Sequence, residues 1–149
     1  YWQIRKMVLD HDDANDLLQN TFLKAWMNID YFRGEAKLST WLYKIAINEC
    51  ITFLNRQRMQ NNVSIDDTDV FLLECLKGDE YFDGDAAQMK LQKAILTLPE
   101  KQRAVFNMKY FDDMKYEDMS EIFGTSVGAL KASYHHAVKK VEEFLTKDI

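Results

Sequence analysis

The residue types that most often carry catalysis or hold a metal are sparse here, and their spacing suits no reaction. His11, His135 and His136 form no HExxH pair. As neighbours on a helix, His135 and His136 would point about 100° apart, a poor arrangement for sharing a metal. No glycine-rich phosphate loop and no Ser-His-Asp set can be assembled. Asp112 and Asp113 read as a polar loop rather than a catalytic dyad, and Cys50 and Cys75 lack CxxC spacing and read as ordinary buried thiols. The chain is therefore expected not to be an enzyme and to use no metal or cofactor.

Two other groups of residues suit nucleic acid. Tyr31, Phe32, Arg33, Lys37, Trp41, Tyr43 and Lys44 mix aromatic rings with cations. Rings of this kind can stack on unpaired bases at about 1–3 kcal/mol per base while the cations hold the backbone. Trp41 and Tyr43 taken alone suit a core as well, but Arg33, Glu35 and Lys37 flank Gly34 in what reads as an exposed loop. The second group is a helix-turn-helix pattern. Ser120 is a small residue facing the turn, Gly124 supplies the turn, and Leu130 returns to the core, with Ile122 and Val127 between. Two helices crossing steeply need a small contact residue and a position that tolerates positive φ. The following helix would present Ser126, Gly128, Ala129, Lys131, Ala132, Ser133, His135 and His136 to a major groove, with Lys139 and Lys140 reaching toward phosphates. The same pattern also fits an ordinary helical hairpin.

The elements that must position these groups read as helices throughout. After Asp10, Leu18, Phe22, Trp26 and Ile29 form an apolar stripe at helical spacing, and Asp12, Asp13 and Asp16 suit the positive N-terminal end. The run DYFRGEAKLST breaks that pattern, with Ser39 or Thr40 placed to cap a second long helix from Trp41 through Leu54 toward Arg56 and Arg58. Helical signal resumes at Ala86, restarts at Pro99 as a first helical position, and continues in two further helices separated by Gly124 and Thr125. No stretch alternates with period two, so the expected fold class is all-α.

At 149 residues, 47% of them hydrophobic, the chain can form one modest domain or two small ones. A domain of about 60 residues buries only about 60% of its unfolded surface, so each half would be marginal alone and inclined to lean on something else. The net charge of −5 is unevenly spread. Residues 61–85 hold eight acids against Lys77 alone, a balance of −7, and the remainder sums to +2. Residues 1–60 carry eight bases and seven acids, and residues 86–149 carry ten and nine. DNA binding would thus depend on local basic clusters and not on a global field. The expected organisation is a domain over 1–60, an acidic linker over 61–85 with apolar Val70–Leu73, Tyr81 and Phe82, and a second domain over 86–149. No run reaches the roughly 18 apolar residues that span a bilayer, and no secretory signal is visible, so a soluble cytoplasmic protein is expected. The chain starts at Tyr1 and not at Met, which suggests that something precedes it.

The run DDANDLLQNTFLKAWMNIDYFRGEAKLSTWLYKIAINECITFL resembles region two of the extracytoplasmic-function sigma factors, and LPEKQRAVFNMKYFDDMKYEDMSEIFGTSVGALKASYHHAVKKV resembles their region four. The two runs cover about six-tenths of the chain, in the family's order. The resemblance implies a transcription-initiation factor made of a region-two bundle and a region-four helix-turn-helix. Asp13, Asp16, Leu17, Gln19, Phe22 and Trp26 match the helix that docks on the β′ clamp helices of RNA polymerase. Phe32, Arg33, Gly34, Glu35, Lys37, Thr40, Trp41, Lys44 and Asn48 match the part that opens and reads the minus-ten element. Ser126, Val127, Gly128, Ala129, Lys131, Ser133, His135, His136 and Lys139 match the part that reads the minus-35 element. The implied partners are core RNA polymerase, through its β′ clamp helices and β flap, promoter DNA and an anti-sigma factor, with no membrane insertion. The linker would lie in the polymerase cleft. Ile47 stands where the family often has Arg or Lys, and Ser133 and His136 stand where Arg is common, which implies a weak grip on free DNA. Competing readings are a dimeric helix-turn-helix regulator, which leaves the aromatic loop and the acidic linker without a purpose, and a pure interaction module.

Overall fold

The computed structural model describes residues 1–61 and 86–147. Cys75 and the expected linker beyond Asn61 therefore lie outside the described residues. Seven α-helices account for most of the described chain: α1 (Trp2–Val8), α2 (His11–Met27), α3 (Leu38–Asn61), α4 (Ala86–Leu96), α5 (Glu100–Tyr110), α6 (Tyr116–Phe123) and α7 (Val127–Thr146). A single 3-10 turn, Ile29–Tyr31, follows α2. Among the described residues there is no strand, which agrees with the all-α expectation.

The short helix α1 escaped the sequence reading. Its apolar residues Ile4, Met7 and Val8 share one buried face, and the chain turns into α2 through Leu9 at φ 65°. The buried Arg5 side chain donates to the Leu9 carbonyl and so closes that turn. Asp10 caps α2, its carboxylate accepting from the Asp13 amide at 3.1 Å, which satisfies one of the free N–H groups of the first turn. The second long helix begins at Leu38, earlier than expected, so Ser39 and Thr40 lie inside its first turn and neither caps it. Pro99 takes the cap position of α5, one residue before the first helical one.

The apolar stripe of α2 has the predicted period, but only Leu18 packs against the core, and Phe22, Trp26 and Ile29 face outward. The residues buried on this helix are Ala14, Leu17, Thr21 and Ala25, and Thr21 spends its hydroxyl on the Leu17 carbonyl at 2.7 Å. Small side chains on the inner face let α2 lie closely along α3. Phe22 and Trp26 remain 57% and 79% exposed.

Two apolar clusters hold the molecule together. One belongs to the C-terminal half alone: Ala94, Ile95, Leu98, Phe106, Ala137 and Val141 join α4, α5 and α7. The other is shared. Ile4, Met7, Val8, Ala14, Leu17, Ala46, Ile47, Cys50 and Leu54 of the N-terminal half pack with Ala104, Val105, Met108, Met119, Ile122 and Leu130 of the C-terminal half. A bundle of about 60 residues has too little interior of its own, and here each half lends apolar surface to the other.

Candidate nucleic-acid interface

The loop between α2 and α3 is built to stay open. Gly34 sits at φ +73°, a conformation that costs an L side chain about 1–2 kcal/mol, with nothing within 4 Å of where a Cβ would stand. Around it Arg33, Glu35 and Lys37 are exposed, while Phe32 is half-buried against Trp41, ring centroids 5.2 Å apart. Trp41, Lys44 and Asn48 follow at helical spacing along one face of α3, with Lys44 and Asn48 exposed. Thr40 differs: at 6% exposure it is buried in the fold.

Beside this loop lies an open apolar groove of about 650 Å³, lined by Gln19, Phe22, Leu23, Ala25, Trp26, Ile29, Leu38, Trp41 and Leu42. Leu23, Ile29, Leu38 and Leu42 were not among the residues expected from sequence. The signal was present in the stripe Phe22, Trp26 and Ile29, since a stripe too bulky for a close helix pair has to face elsewhere. An ion pair between Lys24 and Glu49 ties α2 to α3 nearby. Of the expected docking residues, Asp16, Gln19, Phe22 and Trp26 are exposed and Asp13 is half-buried. The Asp13 carboxyl is pushed above its ordinary pKa, first by partial burial, then by the Asp10 charge and its hydrogen bond, and by Asp16 and Asp12. Leu17 differs from them: at 4% exposure in the free chain it belongs to the shared core.

The helix-turn-helix is formed by α6 and α7. Gly124 ends α6 at φ 67°, and the Ser120 hydroxyl donates to the Thr125 carbonyl at 2.5 Å, pinning the turn across its base. Ser126 caps α7 by accepting from the Ala129 amide at 3.1 Å. Ile122 and Leu130 are buried on either side of the turn, and Val127 is half-buried. Gly128, Ala129, Lys131, His135, His136 and Lys139 are exposed, with Ser133 half-buried among them. The Lys131 ammonium lies 5.7 Å from the Tyr116 ring centroid, which steadies it at the mouth of this face. The His135 and His136 rings stand 6.1 Å apart, and among the described residues no group of three or more His, Cys, Asp or Glu could hold a metal ion. No helix among the described residues is long and apolar enough to cross a membrane.

A helix-turn-helix with an exposed, small-residue recognition face, joined to a second helical body bearing an aromatic and basic loop, is the architecture of a DNA-reading transcription protein. The family model for Sigma-70 region 2 matches residues 1–59, and that for Sigma-70, region 4 matches residues 88–141. The RNA polymerase sigma factor SigV of Bacillus subtilis (strain 168) is 30% identical over 141 residues, covering 95% of this chain and 81% of that protein. The ECF RNA polymerase sigma factor SigW of the same organism is 30% identical over 138 residues, covering 87% of this chain and 74% of that one. The solved sigma factor RpoE, in complex with the anti-sigma factor NepR from Bartonella quintana, superposes with a TM-score of 0.71 at 25% identity, over 99% of this chain and 90% of its own. CnrH in complex with the cytosolic domain of CnrY shares the fold, with a TM-score of 0.66 at 20% identity over 99% of this chain and 80% of its own. The chain belongs to the sigma-70 family, in its extracytoplasmic-function group. It is a transcription-initiation sigma factor, and the dimeric repressor reading is not favoured.

Proposed function

We propose that this factor docks on the β′ clamp helices of core RNA polymerase through the outer face of α2, opens and reads the minus-ten element with the Phe32–Lys37 loop and the Trp41, Lys44, Asn48 face, and reads the minus-35 element with the start of α7. The observation that carries this division is the concentration of Phe22, Leu23, Trp26 and Ile29 on an exposed face bordering the aromatic loop. A monomer rarely leaves so large an apolar patch open unless something covers it. Asp16 and Gln19 on the same helix supply a polar rim. The β flap is the natural partner of the C-terminal half, and the segment over 61–85 is assigned to the polymerase cleft on its acidic charge alone.

An anti-sigma factor is a further proposed partner. Each half of this chain holds fewer than half of its residues, so the superposition on RpoE requires both halves to be arranged alike, and that protein was solved with an anti-sigma factor bound. The test of the main reading is titration with core polymerase followed by run-off transcription. A 1:1 complex that starts RNA at specific promoters is the expected result. Binding of duplex DNA by a dimer of the chain, without polymerase, would overturn it.

A further inference from the structure

Three helices meet at Tyr116, the first residue of α6. Its half-buried ring is shared by two ammonium groups: that of Lys109 near the end of α5, 4.6 Å from the ring centroid, and that of Lys131 in the second turn of α7, 5.7 Å away. The two lysines are held differently. Lys109 is half-buried, donates to the Met114 carbonyl at 3.1 Å and pairs with Asp113 at 3.6 Å. The turn that offers those partners keeps Asp113 at φ 46°, in the left-handed region that a non-glycine residue occupies only at a cost. The Asp113 carboxylate also offsets part of the Lys109 charge, so that two cations can share one ring. Lys131 is exposed, and it stands on the face proposed to read minus 35.

The ring itself has a fixed seat. Tyr116 packs against the shared apolar cluster, as does Tyr134, three residues beyond Lys131 on α7. Tyr134 in turn stacks on Phe106 at 6.0 Å, which ties this part of α7 to α5. A lysine alone on a helix surface carries a compact charge on a flexible four-carbon stem, so it meets a base edge in many orientations and discriminates poorly. An aromatic face within its reach removes part of that freedom before DNA arrives. For an exposed ammonium on a tyrosine ring, the bias is about two- to fivefold.

We infer that Tyr116 is a positioning residue for minus-35 specificity: its ring, anchored by Lys109 and the Asp113 turn, presets the Lys131 ammonium on the recognition face. This rests on the proposed reading of minus 35 by the start of α7. It gives a purpose to the pairing of Lys109 and to the left-handed backbone at Asp113, neither of which lies on that face.

The test uses the full chain with core polymerase on promoters that share one minus-ten element and carry a randomised minus-35 element, with the RNA products sequenced to give base preference at each position. Lys131→Ala marks the position that Lys131 reads. There, Tyr116→Leu, which keeps an apolar side chain against the cluster and removes the aromatic face, should weaken the preference about two- to fivefold. Tyr116→Phe should restore it, because the ring and not the hydroxyl sets the lysine. In a Lys131→Ala background, Tyr116→Leu should change base preference no further. Loss of stability alone lowers output from every sequence alike, so an unchanged preference in Tyr116→Leu would overturn the inference whatever the total output. The inference also falls if Tyr116→Phe loses the preference as Tyr116→Leu does, which would assign the role to a direct contact of the hydroxyl with DNA. A further change in preference in the Lys131→Ala background would overturn it too. If Lys131→Ala itself left every preference intact, the proposed minus-35 reading by this lysine would fall, a result distinct from a failure at Tyr116 alone.

Discussion

Replacing Trp26 by Ala separates assembly from folding. Its side chain is 79% exposed, so of about 230 Å² of indole surface about 180 Å² is free to be covered, with a ceiling of about 4.5 kcal/mol at about 25 cal/mol per Å². Ordering and desolvation take back part of this, and truncating an interface anchor costs about 2–4 kcal/mol. That corresponds to a loss of about 30- to 700-fold in affinity for core polymerase. Because the ring leaves the free protein's interior almost untouched, unfolding free energy should change by no more than about 0.5 kcal/mol. Fluorescence anisotropy of the labelled factor against core polymerase gives the first number, and denaturant unfolding gives the second. An affinity within threefold of wild type would refute the assignment of the α2 outer face, and so would a stability loss large enough to explain the defect.

Leu17→Ala should do the reverse, costing about 2–5 kcal/mol of stability by denaturant titration because it leaves a hole in the shared core, while core affinity measured well below the unfolding midpoint stays near normal. Lys131→Ala should cost about 1–3 kcal/mol of promoter discrimination and relax preference at minus 35, as read by transcription from a randomised element. Arg33→Ala with Lys37→Ala should leave recruitment to duplex promoter within twofold yet lower permanganate reactivity of unpaired thymines, and a pre-melted bubble should rescue a melting defect but not a base-reading one. The Cys50 thiol is pushed up to about 12, first by burial and then by the Glu49 charge, so Cys50 should resist alkylation at pH 8 in the native protein, as read by peptide mapping. Since the folded chain keeps that proton where the unfolded chain releases it, this group's contribution to stability should fall as pH rises from about 9 toward 12, and Cys50→Ala should remove that slope.

Much of the fold was legible because the punctuation is local. Gly124 between two periodic runs marked the helix-turn-helix, and Ser120 and Ser126 take up the hydrogen bonds that such a turn leaves open. The Gly34 loop was legible for the same reason. Which face of a helix is buried is not local. The stripe at Phe22, Trp26 and Ile29 had the right period, yet the face turned to the core is the one that carries Ala14, Leu17, Thr21 and Ala25. Leu17 and Thr40 are likewise inside although their neighbours in the pattern are outside. Arg103 could not be found from sequence either, since its partners at Met7, Leu96 and Leu98 belong to segments that meet only when the chain is folded.

With Ala14, Leu17, Thr21 and Ala25 on the inner face of α2 and Phe22, Leu23 and Trp26 on the outer one, the helix is divided between packing and the proposed docking. The inner face fixes the distance to α3, and through it the position of the Phe32–Trp41 pair at the loop. The outer face is left free to carry bulky apolar side chains that contribute little to the free molecule. A conventional amphipathic helix would bury its largest residues and would have only polar groups to offer a partner. The same helix is thus expected to lose an outer residue without unfolding, or an inner one without losing the proposed docking surface. The opposite outcomes expected for Trp26→Ala and Leu17→Ala follow from that division, although the two positions lie on one helix and only nine residues apart.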